Sequence, residues 1–267
     1  MKLESFEYNF KLLTPCFSGT ALGKDGPAEM RVPPIRGHIR FWHRTLFDTD
    51  STNRIWGSTS NAEGRASKVA VRLMGNLTAS ADLAPVLPHK SAGRGSRRAL
   101  SAGCAFAFHL QRLVGCTDED WRKAKSATQL WLVVGCIGLR SNRAAGSVWP
   151  EGQWVPKTAN DLKQFLNRLG FRWAVALVGE ASGKSPDELR KTASDTVRGN
   201  PAQDIFGGIK PFRQPSPTKF KVVYLSSGYC ILAIAPEPQI LQSAEQQLRN
   251  KQNAQRWQAL GVWNRLL

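Results

Sequence analysis

Apolar residues recur along the chain with two periods, and these predict most of its regular elements. In PPIRGHIRFWHRTLF, residues 33–47, the side chains of Ile35, Ile39, Trp42 and Leu46 share one side of a 3.6-residue period. This spacing predicts a helix that packs that side on a core, with two prolines in its first turn. Strands are predicted for residues 3–13, KVAVRLMG from Lys68, CAFAFHLQRLV from Cys104 and FRWAVALVG from Phe171, and helices for the segment opened by Thr117 and for TANDLKQFLNRLG from Thr158.

The order strand, helix, strands, helix is the order that an α+β sandwich of the ferredoxin or RRM type requires. The segment RIWGSTSNAEGRASKVAVRLMG from Arg54 also aligns with DIFGGIKPFRQPSPTKFKVVYLSS from Asp204: an Ile-aromatic-Gly step, a polar loop and a β-rich run. Chance is the alternative for so short a match. If the repeat is real, the fold is α+β, with two ferredoxin-like (RRM-like) modules packed together, residues 1–152 and 153–267.

A second stripe lies on the residue 33–47 helix. Arg36, Arg40 and Arg44 recur every four residues, and His43 lies beside them. Like charges at this spacing repel one another, so helix stability alone does not explain them, and an anionic partner is predicted.

Charge composition points the same way. The 267 residues include 37 Lys plus Arg against 20 Asp plus Glu, a net charge of +17, in a chain that is 42% apolar and otherwise typical of a globular protein. This balance favours a polyanion such as nucleic acid over a small-molecule substrate. A basic surface that serves only solubility is the alternative.

Cysteine spacing and hydropathy exclude several classes of protein. The five cysteines show no CxxC pair and no histidine pairing, so neither a zinc site nor a disulfide framework is indicated. The segment MKLESFEYNF lacks the apolar run of a signal peptide, and LWLVVGCIGL from Leu130 is shorter than the ~20 residues that span a bilayer. We therefore expect a soluble, cytoplasmic protein with no membrane association, no metal and no cofactor.

Several motifs resemble those of the RAMP superfamily of CRISPR-associated proteins, in particular the family of first subunits of the Cmr (type III-B) effector complex. They are TPCFSGT from Thr14, PPIRGHIRFWHR from Pro33, IWGSTS from Ile55 with the strand KVAVRL after it, and the glycine-rich GCIGLRSNRAAGS from Gly135. The last departs from the family pattern at Ala144 and Ala145, where arginine or glycine is expected. The resemblance covers roughly residues 8–148.

This resemblance implies an RNA-binding structural subunit of a type III CRISPR effector ribonucleoprotein. It would contact CRISPR RNA, target RNA or both near the 3′ end of the guide, beside other RAMP subunits. Target cutting is assigned by the resemblance to a different, backbone-forming subunit, so this chain is expected not to be an enzyme.

The residues themselves support phosphate contacts. A planar guanidinium takes two phosphate oxygens at once, and backbone amides of glycine-rich loops also reach phosphates. Phe41 and Trp42 are assigned to the core, and Lys219 to the second Ile-aromatic-Gly element. The predicted RNA-binding residues are Arg36, His38, Arg40, His43, Arg44, Trp56, Ser58, Thr59, Arg94, Arg97, Arg98, Arg140, Arg143, Lys210 and Arg213.

Two alternatives remain at this stage. RAMP relatives that mature CRISPR RNA often use histidine for acid-base work, so a metal-independent endoribonuclease that uses His38 is the first. However, no Ser/His/Asp, paired-carboxylate or metal-ligand pattern is present, and no catalytic residue is predicted. The second alternative, a general single-stranded RNA-binding module outside CRISPR, lacks the aromatic signature of RRM proteins.

Overall fold

A computed structural model describes most of the chain. The described residues are 4–20, 23–59, 64–75, 81–88, 95–197, 202–208, 214–250 and 255–267. The helices are α1 Val32–Leu46, α2 Thr49–Trp56, α3 Asp118–Val134, α4 Ala159–Arg168, α5 Pro186–Ser194, α6 Gln203–Phe206, α7 Pro238–Asn250 and α8 Gln255–Gln258. The strands are β1 Ser5–Leu12, β2 Gly19–Thr20, β3 Gly23–Ala28, β4 Val69–Met74, β5 Ala81–Pro85, β6 Ser96–Leu100, β7 Ala105–Arg112, β8 Val148–Pro150, β9 Ala174–Val178, β10 Lys219–Leu225, β11 Gly228–Ala235 and β12 Trp263–Arg265.

Two four-stranded antiparallel sheets organise the protein, and they share one strand order. The first sheet runs β4-β7-β1-β8 and the second runs β10-β11-β9-β12. Counted along the chain, both orders are second, third, first, fourth. Helices connect the first strand to the second and the third to the fourth in each sheet. The α+β class predicted from the sequence is confirmed.

The sheets differ in how much of them is buried. In β1 the buried side chains Tyr8, Phe10 and Leu12 alternate with more exposed ones, so one face of the first sheet packs on the core. Every residue of β9 is buried, and β11 is buried from Cys230 to Ala235. The centre of the second sheet is therefore covered on both faces, which explains why β9 and most of β11 are continuous apolar runs.

The Ile-aromatic-Gly steps adopt the same geometry in both halves. α2 ends at Trp56 and α6 at Phe206, and the glycines that follow have φ/ψ of 77°/161° and 71°/165°. Each glycine then runs close to a returning segment: Ser58 bridges Arg65, and Gly208 bridges Gln214. The predicted likeness of the two steps is confirmed.

Two segments form regular elements that the sequence pattern did not predict. Residues 54–56 belong to helix α2, which Asp48 caps by accepting a hydrogen bond from Ser51 N at 2.5 Å. In the basic Gly/Ser segment HKSAGRGSRRALSAG from His89, Ser96–Leu100 forms strand β6, which pairs with β5. Residues 89–94 lie outside the described part of the chain.

The helix that Thr117 opens and the helix of residues 158–170 are confirmed. The Thr117 side chain accepts a hydrogen bond from Asp120 N, and Thr158 with Asp161 forms a capping box at the start of α4.

The matched steps predict a matched response to substitution. A Cβ at position 57 would stand 2.7 Å from Arg65 O, and one at position 207 would stand 2.7 Å from Gln214 O. We expect Gly57→Ala and Gly207→Ala each to lower the free energy of unfolding by about 2 kcal/mol or more, measured by urea denaturation.

Gly115→Ala is the control, because Gly115 has φ +80° but no heavy atom within 4 Å of an added Cβ. It should cost only the backbone strain, about 1 kcal/mol. Equal losses at all of these glycines would contradict the close approach of the returning segments.

Candidate nucleic-acid interface

Helix α1 is held in place by its apolar face. Ile35, Ile39 and Trp42 are buried, as their spacing predicted. The Trp42 ring lies 6.0 Å from the Phe171 ring and 5.7 Å from the Trp173 ring, so α1 also contacts the segment that leads into the second sheet. This packing determines which side chains of α1 face outward.

Two arginines of α1 bind the end of α2. The Arg36 guanidinium donates to the carbonyl of Trp56, and Arg40 donates to the carbonyls of Trp56 and Gly57. Carbonyls at a helix C-terminus have no partner within the helix and carry partial negative charge, so a guanidinium is a favourable donor there. Burial, and then the charges of Arg36 and Arg44, lower the pKa of Arg40. Arg36 and Arg40 therefore have a structural role in addition to any role in binding.

A cleft of about 530 Å³ opens beside these arginines. We call it the arginine cleft. Its lining residues are Val32, Pro33, Arg36, Gly37, Arg40, Gly57, Ser58, Thr59 and Arg65. Among the described residues, this lining contains three guanidinium groups and two hydroxyl groups and no carboxylate. Such a combination of donors fits phosphate oxygens.

On the other side of α1 lies a pocket of about 420 Å³, which we call the His38 pocket. Its lining residues are Pro34, Gly37, His38, Phe41, Trp42, Val134, Gly135, Cys136, Ser141, Asn142, Lys219 and Phe220. They come from α1, from the end of α3 and the glycine-rich segment after it, and from β10. The pocket thus joins the two halves of the chain.

Polar groups of the His38 pocket are partly desolvated. Lys219 Nζ donates to Asn142 Oδ1 at 3.1 Å and lies 4.9 Å from the centroid of the Phe41 ring. Burial, and then the charge of Arg143, lower the pKa of Lys219 to about 8. Burial, and then the charge of Lys219, lower the pKa of His38 to about 4, so this imidazole is neutral at pH 7.

The predictions for His43 and Trp56 are wrong, because both side chains are completely buried. His43 Nδ1 lies 2.8 Å from Thr52 Oγ1, and its ring is 4.9 Å from the Phe47 ring. Trp56 packs beneath α1, with its ring 6.4 Å from that of His43. These two residues join α1 to α2, and neither side chain is exposed to solvent.

The prediction for Arg143 is also wrong. Its side chain is buried, lies 5.8 Å from the Phe206 ring and 5.9 Å from the Phe220 ring, and donates to Ser216 Oγ at 3.1 Å and to the carbonyl of Phe206. Burial lowers its pKa to about 10, so it stays charged. Arg143 caps the end of α6 as Arg36 and Arg40 cap the end of α2.

The other predicted residues are spread over the surface. Arg44 is exposed on α1, one turn beyond the arginine cleft, and Arg97 and Arg98 are exposed on β6. Arg140 is partly buried in the glycine-rich segment and has φ 64°. Arg94, Lys210 and Arg213 lie outside the described residues.

Sequence reasoning missed Arg65 and Asn142. Arg65 is exposed and reaches the cleft because its backbone pairs with Ser58, with N to O distances of 3.0 and 2.9 Å. The available signal was its place in the polar loop that follows the Ile-aromatic-Gly step. Asn142 had no signal, because its contact with Lys219 joins distant parts of the chain.

The described residues contain no group of three or more His, Cys, Asp or Glu side chains that could hold a metal ion. Within the same residues, no helix is long and apolar enough to cross a membrane.

The buried His43 predicts acid sensitivity. Burial is the largest cause that lowers its pKa, from 6.5 to about 4. Between these pH values the unfolded chain binds a proton that the folded chain excludes, so stability falls as pH falls, by at most about 1.4 kcal/mol per pH unit from this group. Urea denaturation at pH 7, 6 and 5 should show a smaller loss for His43→Gln than for the parent. Equal losses of stability in the parent and in His43→Gln would contradict this role of His43.

Comparison of the whole chain with known proteins shows similarity of fold to solved structures. No family model matches the sequence, and no curated protein matches it. Among solved structures, the apo crystal structure of Cmr1 from Pyrococcus furiosus is 18% identical, with 88% of each chain covered and a TM-score of 0.59. A chain of the type III-B Cmr-beta complex bound to cognate target RNA is 10% identical, with 91% of this chain and 98% of that chain covered and a TM-score of 0.55. The protein described here therefore has the fold of Cmr1 and of a Cmr-beta chain, and the resemblance drawn from the motifs is confirmed at the level of the fold.

Proposed function

We propose that this protein is a non-catalytic, RNA-binding structural subunit of a type III CRISPR effector ribonucleoprotein. One observation carries the proposal: the helix motif PPIRGHIRFWHR and the step IWGSTS meet at the arginine cleft. These motifs belong to different helices, α1 and α2, and the cleft they form suits phosphate. The chain's net charge of +17 supports a polyanionic ligand.

Similarity to the solved structures supports the proposal that the protein belongs to a type III effector complex. The Cmr-beta structure is described as bound to cognate target RNA, and this chain matches nearly the full length of its Cmr-beta counterpart. We propose by extension that the partners are CRISPR RNA, target RNA and other RAMP subunits, with contacts near the 3′ end of the guide, in the cytoplasm.

The arginine cleft would hold the RNA backbone and not read its sequence. A guanidinium has five N–H donors, so Arg36 and Arg40 retain donors after binding the carbonyls of α2. Arg65, which lines the cleft, and Arg44, one turn beyond it, are exposed and add to the positive surface. Phosphate contacts of this kind position a strand, while guide-target pairing supplies sequence recognition.

We also propose that the chain consists of two ferredoxin-like modules, residues 1–152 and 153–267. The shared strand order of the two sheets and the matching Ile-aromatic-Gly steps support this division. β8 ends at Pro150 and β9 begins at Ala174, so the boundary falls between the sheets.

An endoribonuclease remains the second candidate, because His38 and Lys219 line the same pocket. A low imidazole pKa makes His38 a weak base at neutral pH, and this disfavours acid-base catalysis.

RNA affinity should respond to salt through the exposed arginines. Each lost phosphate contact reduces the single-strand salt slope by about 0.7, so Arg44→Ala with Arg65→Ala should flatten it by about 1.4. Fluorescence anisotropy with a labelled oligouridylate at several salt concentrations measures this. Arg36 and Arg40 are unsuitable, since alanine there would also free the carbonyls of α2.

Arg122→Ala with Lys163→Ala is the matched control, because both side chains are exposed on other helices and the charge loss is the same. An equal change of slope in the control pair would mean that only total charge matters, and would contradict a specific cleft.

Absence of catalysis is tested directly. CRISPR repeat RNA incubated with the purified protein in chelator should stay intact on a denaturing gel. Site-specific cleavage that is lost in His38→Ala would refute the structural-subunit proposal in favour of the nuclease.

A further inference from the structure

Gly37 occupies an unusual position in helix α1. It is the sixth residue of a 15-residue helix, it is exposed, and a Cβ added there would have no heavy atom within 4 Å. Glycine in a helix interior is less stable than alanine. Nothing in the described residues therefore requires glycine at this point.

Other glycines near the site are required by packing within the protein. A Cβ at Gly135 would stand 2.8 Å from Trp42 Nε1, and one at Gly57 would stand 2.7 Å from Arg65 O. These glycines permit close packing of the chain on itself. Gly37 instead leaves space on the outer surface.

That space connects the two cavities. Gly37 lines both the arginine cleft of about 530 Å³ and the His38 pocket of about 420 Å³. The cavities have complementary chemistry: guanidinium and hydroxyl groups on one side, and aromatic rings with a few polar groups on the other. A nucleotide has the same two parts, a phosphate and a planar base.

The His38 pocket suits a base in detail. Phe41 is partly exposed and supplies a ring surface for stacking, while Phe220 also lines the pocket but is fully buried. Asn142 Oδ1 accepts from Lys219, which leaves the amide N–H groups of Asn142 free to donate toward the pocket. His38 adds a neutral ring with one donor and one acceptor. These donors match a base edge that presents carbonyl oxygens.

We infer that one nucleotide of the bound RNA lies across α1 at Gly37, with its phosphate in the arginine cleft and its unstacked base in the His38 pocket. This inference rests on the proposed RNA-binding function and specifies how one unit of the strand is held. Gly37 is then needed because a side chain would lift the ribose away from the helix.

Substitution at Gly37 tests this, because stability and binding should change in opposite directions. Gly37→Ala should raise the melting temperature and weaken binding of a labelled oligouridylate, and the larger Gly37→Gln should weaken it further, toward the roughly tenfold loss expected when one stacked base is excluded. Gln164→Ala, on the exposed face of α4, is the control and should leave RNA affinity unchanged.

A second probe isolates the base. A ribose-phosphate chain that lacks every base should bind the parent protein more weakly than oligouridylate does. In Asn142→Ala that difference should shrink, because the variant loses part of the base pocket but keeps the cleft.

The outcomes separate this inference from the proposed function. If the parent binds neither probe, the proposed function fails and the inference with it. If the parent binds oligouridylate and both Gly37 variants bind it equally well, only the inference fails. A lower melting temperature for Gly37→Ala would also overturn it, since the fold itself would then require glycine.

Discussion

Capture of helix-end carbonyls by guanidinium groups is the interaction on which the candidate site depends. Arg36 and Arg40 bind the last carbonyls of α2, and Arg143 binds the last carbonyl of α6. In each half a glycine follows, and the residue after it forms a bridge with a returning segment. These contacts place the residues after α2 beside α1, and the arginine cleft is the space that results.

The same principle explains why the glycine-rich segment after α3 connects the halves of the chain. Arg143 extends from this segment to α6, while Ala144 N donates to Phe220 O at 3.0 Å and Phe220 N donates to Asn142 O at 3.2 Å. Lys221 Nζ is buried and donates to Leu132 O at 2.6 Å. Burial lowers the pKa of Lys221 to about 7. Strand β10 is therefore held against the first half by paired backbone and by hydrogen bonds from the buried side chains of Arg143 and Lys221.

The spacing of Arg36, Arg40 and Arg44 predicted part of their structural role but not all of it. It correctly indicated a helix face distinct from the apolar face, but it did not distinguish a guanidinium that meets solvent from one that meets a carbonyl. Arg44 remains exposed, whereas Arg36 and Arg40 bind α2. A basic residue is compatible with both surroundings, because carbonyl oxygens and phosphate oxygens are both acceptors for the same N–H groups.

The sequence by itself determined the elements whose periodicity is local: the buried face of α1, the caps of α3 and α4, and strands β1, β4, β7 and β9. It also indicated the repeated Ile-aromatic-Gly step. A positive φ favours glycine and a buried position favours an aromatic residue, so both can be recognised in the sequence. Only the tertiary structure decided that His43, Trp56 and Arg143 are buried, and that Gly37 lies between two cavities. Burial depends on which distant segments pack together, here α2, α6 and β10, and no local spacing encodes that choice.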